Sequence, residues 1–290
     1  MTDQITRANV IFHPLEFQRL CLAWQRSGER VGMVPTMGAL HEGHLSLVRV
    51  CRAHCDRVVV SIFVNPSQFA PGEDFERYPR TLESDIAALE TVGVDAVLAP
   101  SPADMYGPGF STVVQPAKVA QTLEGQFRPS HYQGVTTVVA KLLNLARADV
   151  AVFGQKDYQQ LAVIRQMVHE LNMPTEILMG TTFRDPDGLA MSSRNRYLTA
   201  EERQRALVIS RALFACRHRV GQGEQDAREL ATNLMQELID GGLDSIDYAV
   251  IADGQTLESL DQIRTGAVAL VAGYIGKTRL IDNVLLDPTS

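Results

Sequence analysis

The amino-acid sequence predicts an α/β fold, in which a doubly wound parallel sheet forms one domain and a smaller α+β domain follows it. Short apolar runs of strand length alternate with longer segments whose apolar residues recur at helical spacing. This alternation is typical of a parallel sheet covered on both faces. Beyond residue 182 the pattern changes to two helical segments followed by three short strands, so we expect domains at 1–181 and 182–290.

The elements of the first domain follow from these patterns. The strand candidates are apolar runs at residues 31–34, 57–64, 96–99, 150–153 and 176–179. Helical patterns lie between them at residues 43–55, 81–92, 134–147 and 157–171, after an opening helix at 14–27. Pro14 suits the first turn of that opening helix, and Thr81 is placed to cap the helix that follows it.

The second domain begins with a tight turn at residues 184–188. Its predicted helices lie at residues 200–219 and 224–240, and its predicted strands at 247–251, 267–274 and 278–285. The tripeptide Gly276-Lys277-Thr278 resembles the end of a phosphate-binding P-loop. It is not one, because Val271 stands where the first glycine is required and the segment joins two strands.

Composition excludes several classes of protein. With 290 residues, of which 45% are hydrophobic and 21% charged, the chain is typical of a soluble globular protein. No apolar stretch approaches the ~18 residues of a membrane span, and residues 1–10 are polar, so we expect a cytoplasmic protein with no membrane partner. The net charge of −7 argues against nucleic acid as a partner. The four cysteines lack the spacing of a disulfide framework and are expected to be reduced and buried.

The most informative stretch, residues 34–44, contains two histidines around a glycine, just after a predicted strand and just before a predicted helix. The helix N-terminus offers unpaired N–H groups and a partial positive charge, both of which suit a phosphate. His41 and His44 are one helical turn apart, so both imidazoles can face one ligand. Gly43 allows the backbone to approach that ligand closely. These features indicate a site for nucleotide phosphates.

Other interpretations of the two histidines fit the sequence less well. A metalloprotease helix needs histidines four residues apart, whereas His41 and His44 are three apart. A zinc site is poorly supported, because the nearby thiols of Cys51 and Cys55 lie on the apolar face of the same predicted helix. Histidines with only a structural role remain the alternative to nucleotide binding.

Two segments interrupt the alternation of strands and helices. Residues 65–79 carry three prolines and a glycine among polar residues, and so long a loop inside a domain indicates a functional segment such as a lid. Residues 123–133 contain Arg128 and His131 just before a helical pattern. That cluster is compatible with an anion site and equally with a solvated surface loop.

Ordered blocks along the chain resemble the pantothenate synthetase family, also called the pantoate–β-alanine ligases, within the HxGH nucleotidyltransferases. The blocks lie at residues 35–38, 41–44, 63–69, 78–81, 153–160 and 184–195. The chain departs from the family pattern at Gln155, where an acidic residue is usual, at Tyr158 in place of phenylalanine, and at Ser130 in place of glycine.

This resemblance implies a Rossmann-like first domain and an ATP-dependent ligase. The reaction would condense (R)-pantoate with β-alanine to give pantothenate, AMP and pyrophosphate through a pantoyl-adenylate. ATP would enter with Mg2+, for which the sequence shows no dedicated carboxylate cage. The resemblance further implies a homodimer.

The resemblance also implies roles for individual residues. His44 and His41 would be catalytic, stabilising charge on the phosphates. Gln68 and Gln160 would bind pantoate, and Gln68 would also border β-alanine. The residues implied for ATP are Met37, Gly38, Ala39, Leu40, His41, Glu42, Gly43, His44, Gly154, Gln155, Lys156, Asp157, Phe183, Met191, Ser192, Ser193 and Arg194.

The chemistry of these residue types is consistent with the assignment. Lys156 supplies a compact positive charge and Arg194 a forked guanidinium, both of which suit phosphate. An amide such as Gln68 or Gln160 can donate to a carboxylate and accept from a hydroxyl without adding charge. Two other functions stay open at this point, namely another HxGH nucleotidyltransferase and a non-catalytic nucleotide-binding module.

Overall fold

The computed structural model describes residues 8–286, and two compact units can be distinguished in it. Unit 1 comprises residues 8–120, 128–154 and 163–180, whereas unit 2 comprises residues 121–127, 155–162 and 181–286. The sequential domains expected at 1–181 and 182–290 stay a prediction, since two internal segments group here with unit 2. Residues 1–7 of the polar amino-terminal stretch lie outside the described residues.

Unit 1 contains a sheet of six parallel strands in the order β1-β4-β3-β2-β5-β6, as expected for a doubly wound α/β fold. The strands are β1 (Asn9–Ile11), β2 (Val31–Thr36), β3 (Arg57–Ile62), β4 (Ala96–Leu98), β5 (Val150–Gly154) and β6 (Glu176–Gly180). The strand order reverses at β2, which has β3 on one side and β5 on the other. Open sheets bind ligands beyond the carboxyl ends of the strands at such a point, and the histidine motif follows β2 directly.

Helices connect these strands. They are α1 (Pro14–Arg26), α2 (Glu42–Arg52), α3 (Leu82–Glu90), α4 (Pro102–Met105), α5 (Glu124–Phe127), α6 (His131–Ala146) and α7 (Tyr158–Glu170). Across residues 8–286, no helix has both the length and the apolar composition that a membrane span requires.

The core of unit 1 is built from the completely buried central strands. Val58, Val59 and Val60 of β3 have no exposed surface, as β-branched residues of a sheet covered on both faces should. Helix α2 lies close to β2 because the facing strand residue is Gly32, where a Cβ would overlap the sulfur of Cys51. The close contact fixes the helix that begins at the histidine motif.

Unit 2 combines two helices with an antiparallel sheet of order β7-β8-β9. Its elements are α8 (Ala200–Gly221), α9 (Ala227–Asp240), β7 (Ser245–Asp253), β8 (Ala267–Ile275) and β9 (Thr278–Leu286). Buried leucines of the helices, such as Leu213 and Leu234, pack in one cluster with Val271 of β8 and Val284 of β9. The α+β arrangement expected from the sequence is therefore present.

Several predicted elements differ from the structure at their ends. The strand β1 was not predicted, because its sequence contains only two consecutive apolar residues, Val10 and Ile11, which is too short a run to indicate a strand. The helix predicted at 43–55 ends at Arg52, and the helix predicted at 224–240 begins at Ala227. In the second case Asp226 is the N-cap, since its carboxylate accepts from the N–H groups of Arg228 and Glu229.

The cysteines are free thiols, and three of the four are buried. Cys55 is the exception to the expected burial, because it lies beyond the end of α2 and is partly exposed. Burial raises the pKa of Cys21 to about 12, so this thiol stays neutral at physiological pH.

Candidate functional site

In unit 1, the chain turns sharply between β2 and α2, at the residues expected to bind a nucleotide. Gly38 and Ala39 have φ angles of 81° and 52°, both in the left-handed region that non-glycine residues rarely adopt. A Cβ at Gly38 would lie 3.0 Å from a carboxylate oxygen of Asp85, so glycine also provides room there. We refer to residues 37–40 as the nucleotide turn.

The carboxylate of Asp85, in α3, holds the nucleotide turn through two backbone groups. It accepts hydrogen bonds from the N–H of Ala39 at 3.0 Å and the N–H of Leu40 at 2.8 Å. Asp85 is only 3% exposed, and Thr81 donates its hydroxyl to the same carboxylate at 3.1 Å. Thr81 is the N-cap residue of α3 as predicted, but its side chain binds Asp85 and makes no capping hydrogen bond. Because Asp85 binds these two amides, contacts of Ala39 and Leu40 with ATP would use other atoms.

The two histidines lie together at the start of α2. His41 is the N-cap residue, and the centres of the His41 and His44 rings are 4.1 Å apart. The backbone N–H of His41 donates to Nδ1 of His44 at 3.3 Å. In neutral His44 the proton must therefore be on Nε2, which makes Nε2 a hydrogen-bond donor. This tautomer suits a group that donates to phosphate oxygens.

Glu42, also expected at the ATP site, directs its carboxylate along the helix to Arg49, with which it forms an ion pair. Its contribution to a phosphate site would come from its backbone at the first position of α2, where the helix dipole is positive.

Gln68 lies beside the nucleotide turn, and its amide has a fixed orientation. Its Oε1 accepts a hydrogen bond from Nδ2 of Asn65 at 3.0 Å, while its Nε2 donates to the sulfur of Met37 at 3.1 Å. The side chain thus presents N–H donors on the side of Met37. Donors of this kind suit a carboxylate or hydroxyl oxygen of a substrate. The structure brings together Gln68 and Met37, which the sequence assigned to pantoate and ATP respectively.

Asn65 is itself held by several groups. Its Oδ1 accepts from the hydroxyls of Tyr106 and Ser67, both at 2.8 Å, while its Nδ2 also donates to the carbonyl of Gly134 at 3.2 Å. Asn65 is 1% exposed. A buried amide with partners on both ends cannot flip without losing hydrogen bonds, so Asn65 fixes the amide of Gln68.

The segment 65–79, expected to form a lid, is tied to the start of α6. Arg128 makes two hydrogen bonds of 2.6 Å with the carboxylate of Glu73, and it also donates to the carbonyl of Gln68 at 3.3 Å. A ring nitrogen of His131 lies 2.9 Å from that same carbonyl. The cluster expected at residues 123–133 is therefore neither a solvated loop nor an open anion site at Arg128. Burial acts to raise the pKa of Glu73, but the hydrogen bond and charge of Arg128, together with smaller contributions from the backbone of Ala70 and from His131, keep the pKa below its ordinary value.

In unit 2, the expected ATP residues Gln155, Lys156 and Asp157 form a single 3-10 turn. Asn283 of β9 holds this turn, because its Nδ2 donates to the carbonyls of Gln155 and Lys156, both at 2.9 Å. Its Oδ1 accepts from Nε2 of Gln155 at 3.1 Å. Because both hydrogens of Nδ2 are used for the two carbonyls, the only group that Asn283 offers to the side chain of residue 155 is the acceptor Oδ1. A glutamine side chain can donate a hydrogen bond to this oxygen, whereas a carboxylate cannot. This accounts for the glutamine at a position that is usually acidic in the family the sequence resembles.

The segment 181–195 of unit 2 is built on ion pairs and caps. Arg184 makes a bidentate ion pair with the buried carboxylate of Asp282, at 2.6 and 2.9 Å. The N–H of Met191 donates to the carbonyl of Phe183 at 2.9 Å, so these two expected ATP residues are joined. The hydroxyl of Ser192 accepts from the N–H of Arg194 at 3.3 Å and caps the turn that carries Ser193 and Arg194.

Gln160, the second residue expected to bind pantoate, is half-buried in the first turn of α7. Its neighbour Gln159 is 3% exposed and binds the backbone of residues 122 and 124.

Four residues that position the expected ligand-binding residues were not identified from the sequence, namely Asp85, Asn65, Tyr106 and Asn283. The position of Asp85, one helical turn after a predicted N-cap, is the single signal that could have identified one of them.

The close packing of α6 on the turn at Gln68 leads to a prediction for Gly134→Ala. A Cβ at Gly134 would overlap the carbonyl of Ser67 and lie 2.7 Å from Cα of Gln68. The backbone must shift, so we expect unfolding free energy to fall by about 1–3 kcal/mol. Thermal unfolding measures this. Gly221→Ala is the matched control, since this glycine in α8 has no atom within 4 Å of a Cβ, and its substitution should be neutral or stabilising. An equal change in both variants would contradict the prediction.

The hydrogen bonds of Asn283 lead to a second prediction. Asn283→Asp replaces the donor to two backbone carbonyls by an acceptor, so stability should fall by about 1–3 kcal/mol and ATP should bind more weakly. Calorimetric titration with ATP tests the second effect. Asn144→Asp, which removes one helical hydrogen bond to the carbonyl of Ala140, should leave ATP binding unchanged. Normal ATP affinity in the Asn283 variant would show that this residue has no part in organising the Lys156 turn.

Comparison with known proteins yields close matches over most of the chain. Residues 9–285 match the family described as Pantoate-beta-alanine ligase. Pantothenate synthetase 1 of Bradyrhizobium diazoefficiens is 50% identical over 278 residues, which cover 96% of this chain and 98% of that protein. The pantothenate synthetase of Rhodopirellula baltica is 51% identical over 266 residues, covering 91% of this chain and 93% of that protein.

Solved structures agree with these sequence matches. The crystal structure of pantothenate synthetase from Thermus thermophilus has a TM-score of 0.91 and 45% identity, covering 97% of this chain and 100% of that one. A crystal structure of pantoate-beta-alanine ligase from Francisella tularensis, in complex with beta-gamma ATP and beta-alanine, has a TM-score of 0.77 and 34% identity, covering 96% of this chain and 97% of that one. Given these matches, the chain belongs to the pantoate-beta-alanine ligase family.

Proposed function

We propose that this protein is a pantothenate synthetase, which condenses (R)-pantoate with β-alanine and converts ATP to AMP and pyrophosphate. Membership of the family over residues 9–285 supports the reaction as a whole. The structural observation that carries the proposal is the 3.1 Å hydrogen bond between Gln68 and Met37. It joins the residue assigned to pantoate to the turn assigned to ATP, and activation of a carboxylate by ATP requires the two substrates to be adjacent.

The reaction would proceed in two steps. A carboxylate oxygen of pantoate attacks the α-phosphorus of ATP, the bond between the α- and β-phosphates breaks, and pyrophosphate leaves. The amine of β-alanine then attacks the carbonyl carbon of the pantoyl-adenylate, AMP leaves with the electron pair of the broken C–O bond, and the nitrogen loses a proton. Neither step needs a nucleophile from the protein, since positioning two reactants can lower a barrier by roughly 7–11 kcal/mol.

The residues of unit 1 take the following roles in this proposal. His44 donates from Nε2 to phosphate oxygens, in the tautomer set by the N–H of His41, and stabilises charge as pyrophosphate leaves. Gln68 donates to an oxygen of pantoate and borders the β-alanine site. The segment 65–79 acts as a lid that excludes water from the adenylate.

The residues of unit 2 complete the assignment. Lys156 and Arg194 supply positive charge for the phosphates, and Gln160 binds pantoate. Mg2+ would enter bound to ATP. Residues 8–286 contain no group of three or more His, Cys, Asp or Glu side chains that could hold a metal ion. We further propose a homodimer, as the family resemblance implies, and a cytoplasmic location, as the composition of the sequence predicts.

Isotope exchange tests the order of the two steps. If pantoate is activated first, the enzyme should exchange labelled pyrophosphate into ATP with pantoate present and β-alanine absent. His44→Ala should lower the exchange rate by a factor on the order of 10²–10⁴ while retaining the fold. Exchange that requires β-alanine would contradict the two-step mechanism. Exchange with a phosphorylated acceptor but not with pantoate would indicate a different nucleotidyltransferase.

Substitutions at the binding residues should separate the two substrates. Gln68→Ala and Gln160→Ala should raise the KM for pantoate much more than the KM for ATP, because each leaves a substrate oxygen unpaired at a cost of ~1–3 kcal/mol. Lys156→Ala and Arg194→Ala should show the opposite preference. Steady-state kinetics with each substrate varied in turn will check this, and equal losses for both substrates in all four variants would disprove the assignment.

A further inference from the structure

We propose that Asp85 is a positioning residue for ATP, acting through the backbone of the nucleotide turn. The inference rests on the proposed function, since it assigns a role within the same site. Asp85 lies in α3, outside every sequence block that the family resemblance assigned to a ligand. Its carboxylate binds two consecutive N–H groups of the turn and the hydroxyl of Thr81.

The turn needs such a partner because of its backbone conformation. Ala39 has a φ of 52°, and left-handed backbone is unfavourable for a residue with a Cβ. Such a conformation persists where the surroundings enforce it. Two adjacent N–H groups that converge on one carboxylate define the direction of both peptide planes. Asp85 therefore determines where the chain enters α2, and with it the positions of His41 and His44.

Three hydrogen-bond donors stabilise the carboxylate of Asp85. Within residues 8–286, no lysine or arginine forms an ion pair with Asp85. A buried carboxylate without a cation depends on hydrogen bonds to the charged form. If the nucleotide turn adopted another backbone conformation, this carboxylate would lose two of its hydrogen-bond donors. The turn and Asp85 therefore stabilise each other.

Thr81 extends this link to the lid segment. Its hydroxyl donates to Asp85 at 3.1 Å, and it follows directly after residues 65–79 and Arg80. A movement of the lid that displaces the start of α3 would thus reach the nucleotide turn through one side chain. Thr81→Val, which removes this donor and keeps both backbone contacts, should give a smaller version of the Asp85 effect.

Asp149, which binds the other end of β2, provides a matched control. Asp149 accepts from the N–H of Val31 at 2.7 Å and from Nε2 of Gln25 at 3.4 Å. It therefore holds the first residue of β2 much as Asp85 holds the turn after its last residue. A purely structural role for Asp85 predicts that Asp85→Asn and Asp149→Asn behave alike.

The test compares these two variants in kinetics, ATP binding and hydrogen exchange. In Asp85→Asn an NH2 group replaces one carboxylate oxygen, so one of the two backbone N–H groups of the nucleotide turn loses its acceptor. We therefore expect the KM for ATP to rise about tenfold and kcat to fall at least as much. The KM for pantoate should change less than about twofold. Amide exchange in residues 37–41 should accelerate. In Asp149→Asn all four quantities should stay near those of the wild type, while thermal stability falls in both variants.

Each outcome is informative. Normal ATP affinity and normal exchange of residues 37–41 in Asp85→Asn would overturn the proposal, as would equal rises in both KM values. If Asp85→Asn does not fold, Thr81→Val is measured in its place, and a KM for ATP within experimental error of the wild type overturns it. If wild-type protein binds ATP but forms no pantothenate, the proposed reaction fails, while ATP titration and hydrogen exchange still decide the role of Asp85.

Discussion

The left-handed bend at Gly38 and Ala39, held by the carboxylate of Asp85, is the constraint on which the proposed nucleotide site of unit 1 depends. A buried parallel strand runs straight to its end, and a helix that packs back onto the sheet must begin within a few residues. The bend at Gly38 and Ala39 reverses the direction of the chain between β2 and α2. It also sets the ring of His44 where the N–H of His41 can fix its tautomer. Backbone conformation and imidazole chemistry are therefore determined together.

Buried amides organise other side chains that we assign to substrates, in the same way in both units. Asn65 fixes the amide of Gln68, and Asn283 fixes the carbonyls around Lys156. An amide has both a donor and an acceptor, so a partner on each end specifies one orientation, and flipping it would leave buried groups unpaired. Gln68 could have donated or accepted on the evidence of its residue type alone, and its neighbour restricts it to donation on the side of Met37.

The sequence predicted the fold more completely than the site. Alternation of strands and helices follows from hydrophobic periodicity, which is local, so the parallel sheet, the α+β unit and the position of the histidine motif were all accessible. Side chains that act through distant backbone were not. Asp85 binds an N–H 46 residues away, and Asn283 binds a carbonyl 128 residues away. Hydrophobic periodicity does not predict such pairs, because each pair forms only when the completed fold brings the ends of two strands or helices together.

A neutral amide, where a carboxylate could have stood, also helps to explain how a chain with a net negative charge can bind a polyanion. Arginines that hold loops have their charge compensated, as Arg184 is by Asp282 and Arg128 is by Glu73. Lys156 sits on a turn held by Asn283, and within residues 8–286 it forms no ion pair. A carboxylate in place of that amide would add negative charge to the turn that carries Lys156 and would oppose phosphate binding there. The net charge of −7 is therefore compatible with ATP binding, because Lys156, one of the two cations assigned to phosphate, lies on a turn held by a neutral amide.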